Sequence, residues 1–347
     1  MVCDLSEPSS PIELMRGVGV LLAGPPCQGF STAGKRDFDD PRNSLLAIAA
    51  QIATRVRPRV FLAENVSGVT AGEHKQHWYR LHGTLRAAGY RTTDIVCLTA
   101  KMGAPQIRRR MVMLAWIAKR DIRVSLPVHE GGTVRSALVG VQGKPNHDVK
   151  PLPPHSDLWR IARRIKPGQK LSNVRAGPRS VHTWEIPEVF GETTASERLL
   201  LEGLLRLPRR RRTRDFGDAD PVSASALARC LGQPVAETLV SLQRKGFVRR
   251  VNSHFDLTHS FNGKFRRLRW DEPSLTVDTR FGSPRYFLHP EANRGFTVRE
   301  AARIQGFSDS FHFSGPESAQ YRMIGNAVPP PVSRILASFV SEALMCY

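Results

Sequence analysis

Cys27 stands in the stretch Gly24-Pro25-Pro26-Cys27-Gln28-Gly29-Phe30-Ser31. The spacing copies a phosphate-binding loop, GxxxxGK[ST], with Phe30 where the lysine belongs. That reading fails on chemistry. Such loops hold phosphate through backbone N–H donors and a lysine charge, and Pro25 and Pro26 carry no N–H. The same residues suit a stiff loop that presents a thiol: two prolines fix the approach, and two glycines permit dihedrals closed to other residues. A thiolate held this way is a nucleophile candidate. A second element, Glu64-Asn65-Val66, offers a carboxyl that donates a proton or hydrogen bond where its pKa is raised. A third, Gln106-Ile107-Arg108-Arg109-Arg110, offers guanidinium groups. Taken singly, Glu64 also reads as a surface residue and the arginines as a solvated turn. The order Cys, Glu, Arg along the chain favours chemistry.

The elements around these residues must position them. Val18 to Ala23 is a short apolar run ending at Gly24, as a buried strand does before a loop. Asn43 is placed to cap a helix from Ser44 to about Val56, ended by Pro58. Val60 to Ala63 reads as a second strand with Glu64 at its C-terminal end. A helix to about Ala88 follows, stopped by Gly89. Arg91 to Leu98 and Met111 to Ala118 read as two more strands with a turn at Gly103 to Pro105. Strands alternating with helices predict an open α/β sheet, whose ligands bind beyond the C-terminal ends of the strands. Cys27 and Glu64 both fall there.

From about residue 120 the periodicity fades, and a basic run from Arg209 to Arg214 interrupts the chain. Ser223 is then placed to cap a helix to Leu231. Gly232 to Pro234 makes a turn, a second helix runs from Val235 to Lys245, and a hairpin follows across Asn252-Ser253. Helix, turn, helix, hairpin is a winged-helix order, although an ordinary helical insert gives the same signals. Thr297 is placed to cap a helix from Val298 to Ile304, and Gly325 to Pro331 introduces a final helix to about Leu344.

Lys plus Arg is 51 against 31 Asp plus Glu, a formal charge of +20, with an isoelectric point near 10.7. That balance suits a polyanion such as nucleic acid, although an Arg-rich composition alone produces it too. No apolar run reaches the roughly 20 residues of a membrane span. The N-terminus has Asp4 and Glu7 and no basic-then-apolar order, so cytoplasm or nucleoid is the expected address. The five cysteines form no CxxC pair, and no metal site or disulfide framework is expected. Cys97 and Cys230 lie among apolar residues and read as core.

These motifs together resemble the DNA cytosine-5 methyltransferase family. Gly24 to Ser31 is similar to its Pro-Cys loop, Glu64-Asn65-Val66 to its ENV element, and Gly103 to Arg110 to its GxPQxRxR element. Arg299 to Phe307 is similar to its REAARxQGF helix, and Gly325 to Pro330 to its GNAVPP element. The resemblance covers nearly all of the chain outside about 120–265. It implies an α/β, Rossmann-like S-adenosylmethionine-dependent methyltransferase sheet with helices on both faces, plus a smaller target-recognition domain holding the winged-helix order. The domains would be 1–119 and 266–347 for catalysis and 120–265 for recognition.

By the same resemblance, Cys27 would add to C6 of a flipped-out cytosine, Glu64 would bond the N3/N4 edge, and Arg108 and Arg110 would hold the base and orient the thiolate. Double-stranded DNA would be the substrate. Gln28, Ser31 and the run Arg209, Arg210, Arg211 and Arg212 would contact it, the arginines at phosphates. S-adenosylmethionine would be the cofactor. The family's opening Phe-x-Gly-x-Gly loop and the acid that holds the ribose are not found. What remains for the cofactor would be Asp4, Pro25, Asn326 and Val328. A second polypeptide supplying the rest is therefore expected, and a non-catalytic DNA-binding subunit is the alternative. A restriction-modification, regulatory or defence role is equally compatible with these residues.

Overall fold

A computed structural model describes residues 4, 12–26, 29–30, 40–118, 122–174, 177–210, 221–259 and 261–346. Cys27, Gln28, Ser31, Arg211 and Arg212 lie outside them, and of Arg209 and Arg210 only the backbone is described. The chain forms two compact units. One comprises Met1–Ser136, Ile304–Phe307 and Val328–Tyr347, and the other Ala137–Arg303 and Ser308–Ala327.

The first unit is built on β1 (Val20–Ala23), α1 (Leu45–Val56), β2 (Val60–Val66), α2 (Lys75–Ala87), β3 (Arg91–Leu98), β4 (Gln106–Ile107) and β5 (Arg109–Trp116). Its sheet has the order β1-β2-β5-β3. β1 and β2 are parallel, and β2 and β3 both run antiparallel to β5. Strand residues alternate between faces. Phe61, Ala63, Met111, Met113 and Ala115 pack under α1 (Leu46, Ala50, Ala53) and α2 (Trp78, Leu81, Leu85). Val60, Leu62, Val112, Leu114 and Trp116 pack on the other face under Val332, Leu336, Phe339 and Ala343 of the C-terminal helix. Both helical sets repeat every three or four residues, which turns one stripe of each helix to the sheet.

One expected end differs. Asn43 is buried and is not the N-cap of α1. Asp40 instead accepts from the backbone N–H of Arg42 and opens a 3-10 turn, Pro41–Ser44, ahead of α1. At the other end the helix stops at Val56 as expected, with Arg57 in the left-handed region at φ 54° and ψ 51°, because the proline excludes helical backbone just before it.

Beyond these lie α3 (Val134–Leu138), α4 (Asp157–Arg164), β6 (Lys170–Ser172), β7 (Ser180–Val181), α5 (Pro187–Phe190) and α6 (Ala195–Arg210). β8 (Val222–Ser223), α7 (Ala224–Leu231), α8 (Ala236–Arg244), β9 (Val248–Val251) and β10 (His254–Leu257) come next. The chain closes with β11 (Asn262–Lys264), β12 (Arg266–Arg267), β13 (Ser274–Leu275), β14 (Phe287–Leu288), α9 (Val298–Gln305), α10 (Glu317–Asn326) and α11 (Pro330–Met345).

The winged-helix order is present, and it includes a helix hidden in sequence by the arginine run. α6, α7 and α8 pack on the antiparallel sheet β8-β10-β9 around Leu200, Leu204, Leu227, Leu239, Leu242 and Leu257. Cys230 on α7 is exposed rather than core, whereas Cys97 is buried.

The second unit does not end near 265. The buried Arg267 guanidinium donates to the carbonyls of Ala162, Ile165, His289 and Ala292, which ties the segment after 265 to α4. Thr297 and Glu300 cap α9 reciprocally: the Thr297 N–H donates to Glu300 at 2.8 Å, and the Glu300 N–H donates to the Thr297 hydroxyl at 3.2 Å. Among the described residues no helix is long and apolar enough to cross a membrane, and no group of three or more His, Cys, Asp or Glu is placed to hold a metal ion.

Candidate active site

β2 carries Glu64 and Asn65 in its last turn of pleat, and alternation sends their side chains to opposite faces. Glu64 faces Arg110 across the β2–β5 ladder, and its carboxylate meets the Arg110 Nε at 2.7 Å. Both side chains are largely buried, at 18% and 15% exposure respectively. Burial pushes the Glu64 carboxyl above the usual glutamate value, and the charges of Arg110 and Arg108 pull it back only in part. Its proton is therefore held more tightly than on a free glutamate, and the protonated form can donate. The neighbouring Cys97 thiol is pushed up to about 12, chiefly by burial and further by Glu64. It is a poor nucleophile.

Asn65 turns the other way. Its amide donates to the carbonyl of Pro25 at 3.3 Å and its oxygen accepts from the Val66 N–H at 2.9 Å. The Pro-Pro approach to Cys27 is therefore fastened to the end of the strand that bears Glu64. The far side of the loop is fastened too. Phe30 is fully buried and meets the rings of His74 and His77 edge-on. A Cβ on Gly68 would stand 2.1 Å from the Phe30 carbonyl oxygen, so only glycine admits that approach. Cys27, Gln28 and Ser31 themselves lie outside the described residues.

Arg108 is buried. Its backbone is held by Thr99, which receives its N–H at 3.1 Å and donates to its carbonyl at 3.0 Å. Gln106 is also buried, and its amide reaches Gln305 and the Ile304 carbonyl. Arg108 is thus mounted on a rigid turn, and Arg110 on β5 between β2 and β3. Asn65, Gly68 and Thr99 were not singled out from sequence. Each acts through backbone, and their residue types alone carry no such signal.

The helix Arg299 to Phe307, matched as a motif, is structural. Arg299 is buried and donates to the carbonyls of Pro145, Ser308 and Phe311, and Glu300 forms a two-pronged pair with Arg294 at 2.7 Å. Gly325 has a similar reason: its Cβ would meet the Thr279 backbone nitrogen at 2.4 Å.

At the C-terminal end of β1 a cleft of about 310 Å³ is lined by Met15, Leu21 to Pro26, Leu45, Ile48, Ala49, Ile52 and Phe61. Pro25 is part of this wall. Val328 packs beside the apolar cluster under α11 in the same unit, Asp4 is exposed, and Asn326 ends α10 in the other unit. The lining fits S-adenosylmethionine in part. It can cover the apolar flank of the molecule, and it includes no carboxylate for a ribose and no glycine-rich run of amides for a carboxylate.

Comparison with known proteins gives this geometry its context. The family model described as C-5 cytosine-specific DNA methylase matches residues 7–171 and 217–342. Type II methyltransferase M.AgeI of Thalassovita gelatinovora is 29% identical over 375 residues, covering 94% of this chain and 83% of that protein. Type II methyltransferase M1.HphI of Haemophilus parahaemolyticus is 30% identical, covering 95% of this chain and 69% of that protein. Among solved structures, the Entamoeba histolytica methyltransferase EhMeth superposes with a TM-score of 0.52 at 15% identity, covering 99% of this chain and 83% of that one, a likeness of fold. With the family come the activity, transfer of a methyl group to C5 of cytosine in DNA, and the cofactor, S-adenosylmethionine. The chain belongs to the C-5 cytosine-specific DNA methylase family.

Proposed function

We propose that the chain methylates cytosine through a covalent adduct at Cys27. The duplex surrenders one base to the site. The Cys27 thiolate forms a bond to C6, and the C5–C6 π electrons shift to make C5 nucleophilic. Glu64, in its protonated form, donates at N3 and neutralises the charge that builds there. Arg110 holds Glu64 in register, and Arg108 adds positive charge beside it. S-adenosylmethionine, when bound, supplies an electrophilic methyl group. A base then removes the C5 proton, N3 returns its proton to Glu64, the C5–C6 double bond re-forms, and the thiolate leaves. The observation that carries this reading is the Glu64–Arg110 pair at 2.7 Å, on the strand whose Asn65 fastens the Pro25 loop.

Gln28 and Ser31 belong to the loop that meets the flipped base, and Arg209, Arg210, Arg211 and Arg212 to the phosphate backbone. The region 120–265 sets the DNA sequence preferred. The named relatives being Type II methyltransferases, a restriction-modification role is assigned. Asp4, Pro25, Asn326 and Val328 serve the cofactor. The polar part of its site comes from a second polypeptide carrying a glycine-rich loop, added as a strand on the outer edge of β1. That edge pairs with no other strand among the described residues, and Leu22 on it is 68% exposed; both favour strand addition.

Cys27→Ser tests the central step. Serine keeps the shape with a far weaker nucleophile, so methyl transfer is expected to vanish while duplex binding persists. Methyl transfer retained by the variant would refute the adduct. Calorimetry tests the cofactor reading. The chain alone should bind S-adenosylmethionine on the order of 100-fold or more weakly than with a Phe-x-Gly-x-Gly polypeptide, from three or four missing hydrogen bonds at about 0.5–1.5 kcal/mol each. Micromolar affinity of the chain alone would contradict it.

A further inference from the structure

The second unit contains a complete helix-turn-helix. α7 and α8 are joined by four residues, Gly232 to Val235, with Gly232 left-handed at φ 67°. That is the turn length and chemistry of helix-turn-helix motifs, whose second helix enters the major groove. Three features hold α8 firmly. Leu239 and Leu242 are buried in the core. The Ser241 hydroxyl and the Lys245 ammonium both donate to the carboxylate of Glu197 on α6, at 2.7 and 2.8 Å. Those contacts hold the Glu197 carboxyl down at about 2, against the effect of its burial.

Opposite the buried stripe, Glu237, Val240 and Arg244 lie at i, i+3 and i+7, all exposed. They form a single face. A carboxylate accepts from cytosine N4, an apolar side chain meets the thymine methyl, and a guanidinium bonds guanine O6 and N7. The hairpin β9–β10 beside it turns at Asn252, φ 54°, and exposes Arg249 and Arg250. Arg249 is paired with Asp256 at 2.9 Å, while the Arg250 Nε donates to the Asn252 carbonyl at 2.9 Å, which orients it along the hairpin. Between residues 222 and 257 there are five Lys or Arg and two Asp or Glu.

We propose that α8 reads base edges of duplex DNA in the major groove through Glu237, Val240 and Arg244, and that Arg250 on the hairpin binds a phosphate of the same duplex. The charge and the face chemistry together fit this polymer better than an acidic protein, which would gain nothing from Glu237. The assignment rests on the reading of the chain as a DNA methyltransferase for the choice of polymer, and it names the specificity residues of that reading.

The experiment uses the full chain and fluorescence anisotropy against duplexes that differ from the preferred site by single base pairs. All three substituted side chains are exposed, and circular dichroism verifies the fold of each variant. Glu237→Gln and Val240→Ala should each relax the preference at one or two base pairs, on the order of ten-fold. Arg250→Ala should weaken binding uniformly across sequences and reduce the slope of log affinity against log salt by about one. Folded variants with unchanged base preference and unchanged slope would overturn the proposal, and α8 would then be a face for protein. Methylation assayed on the same samples separates the two readings. Sequence-selective binding that responds to Glu237 and Val240, without methyl transfer by the wild type even when the glycine-rich polypeptide is supplied, would sink the catalytic reading and leave this one standing. Methyl transfer with preference indifferent to these residues would do the reverse.

Discussion

Glu64 and Asn65 are adjacent in sequence and serve different ends, because a strand turns successive side chains to opposite faces. Glu64 meets Arg110, the pair on which the proposed mechanism rests; Asn65 fastens the Pro25 loop. The raised Glu64 pKa fixes a sign for pH dependence. In the proposed mechanism a protonated Glu64 is the donor, so turnover should rise with pH as the Cys27 thiolate forms and fall again as Glu64 ionises, giving a bell in kcat/KM. Glu64→Gln should lose the descending limb and on the order of 10²-fold or more in rate, and a pH profile of single-turnover rates checks both. Gly68→Ala would drive a Cβ into the Phe30 carbonyl. It should destabilise by about 1–3 kcal/mol and slow methyl transfer more than it weakens DNA binding, read by thermal melts alongside activity. Glu64 and Arg110, which the fold brings together, were singled out in sequence because the chemistry expected of them restricts the choice to a few residue types. Asn65, Gly68 and Thr99 were not, since their task is a distance to backbone that only the folded chain defines.

Elements with a strong period were also legible. α1, α2 and β3 fall close to where apolar spacing predicts them, and the Thr297 cap is present with its Glu300 partner. α6 and α10 escaped notice. The first runs straight into Pro208 and the arginines, and the second ends in Gly325-Asn326, so in both the usual stop signals lie inside the helix. The cap on α9 extends into a buried pair, Arg294 with Glu300, at 9% and 1% exposure. Removing one partner of such a pair strands a charge. Glu300→Ala should destabilise the second unit by about 3–5 kcal/mol, measured by denaturant unfolding. The Glu300 carboxyl lies below its ordinary value because the Arg294 contacts outweigh the effect of burial. Its contribution to stability is therefore full above the ordinary carboxylate pKa and is lost as pH falls through the lowered one. The wild-type acid transition should consequently be steeper than that of Glu300→Ala, and acid titrations followed by circular dichroism compare the two.

At the scale of the molecule, charge and topology point the same way. A formal charge of +20 favours a polyanion through counterion release. Duplex affinity should fall by roughly 10³- to 10⁵-fold between about 50 and 200 mM salt if about six to ten phosphates are met, and anisotropy at several salt concentrations shows whether it does. The division of the chain was only partly legible. The expected boundary near 265 followed a change in composition, whereas the compact unit follows the buried Arg267, whose five hydrogen bonds reach back to α4 and forward past β14. The proposed reaction centres on Cys27. The most direct measurement replaces the target cytosine in a duplex with pyrimidin-2-one, whose ring, lacking the exocyclic amine, accepts a thiolate at C6 without a methyl donor. Intact mass of the complex should rise by one DNA strand, and peptide mapping should place the bond at Cys27, with no adduct from Cys27→Ser. An adduct on any other residue, or one that forms equally well with the serine variant, would contradict the account.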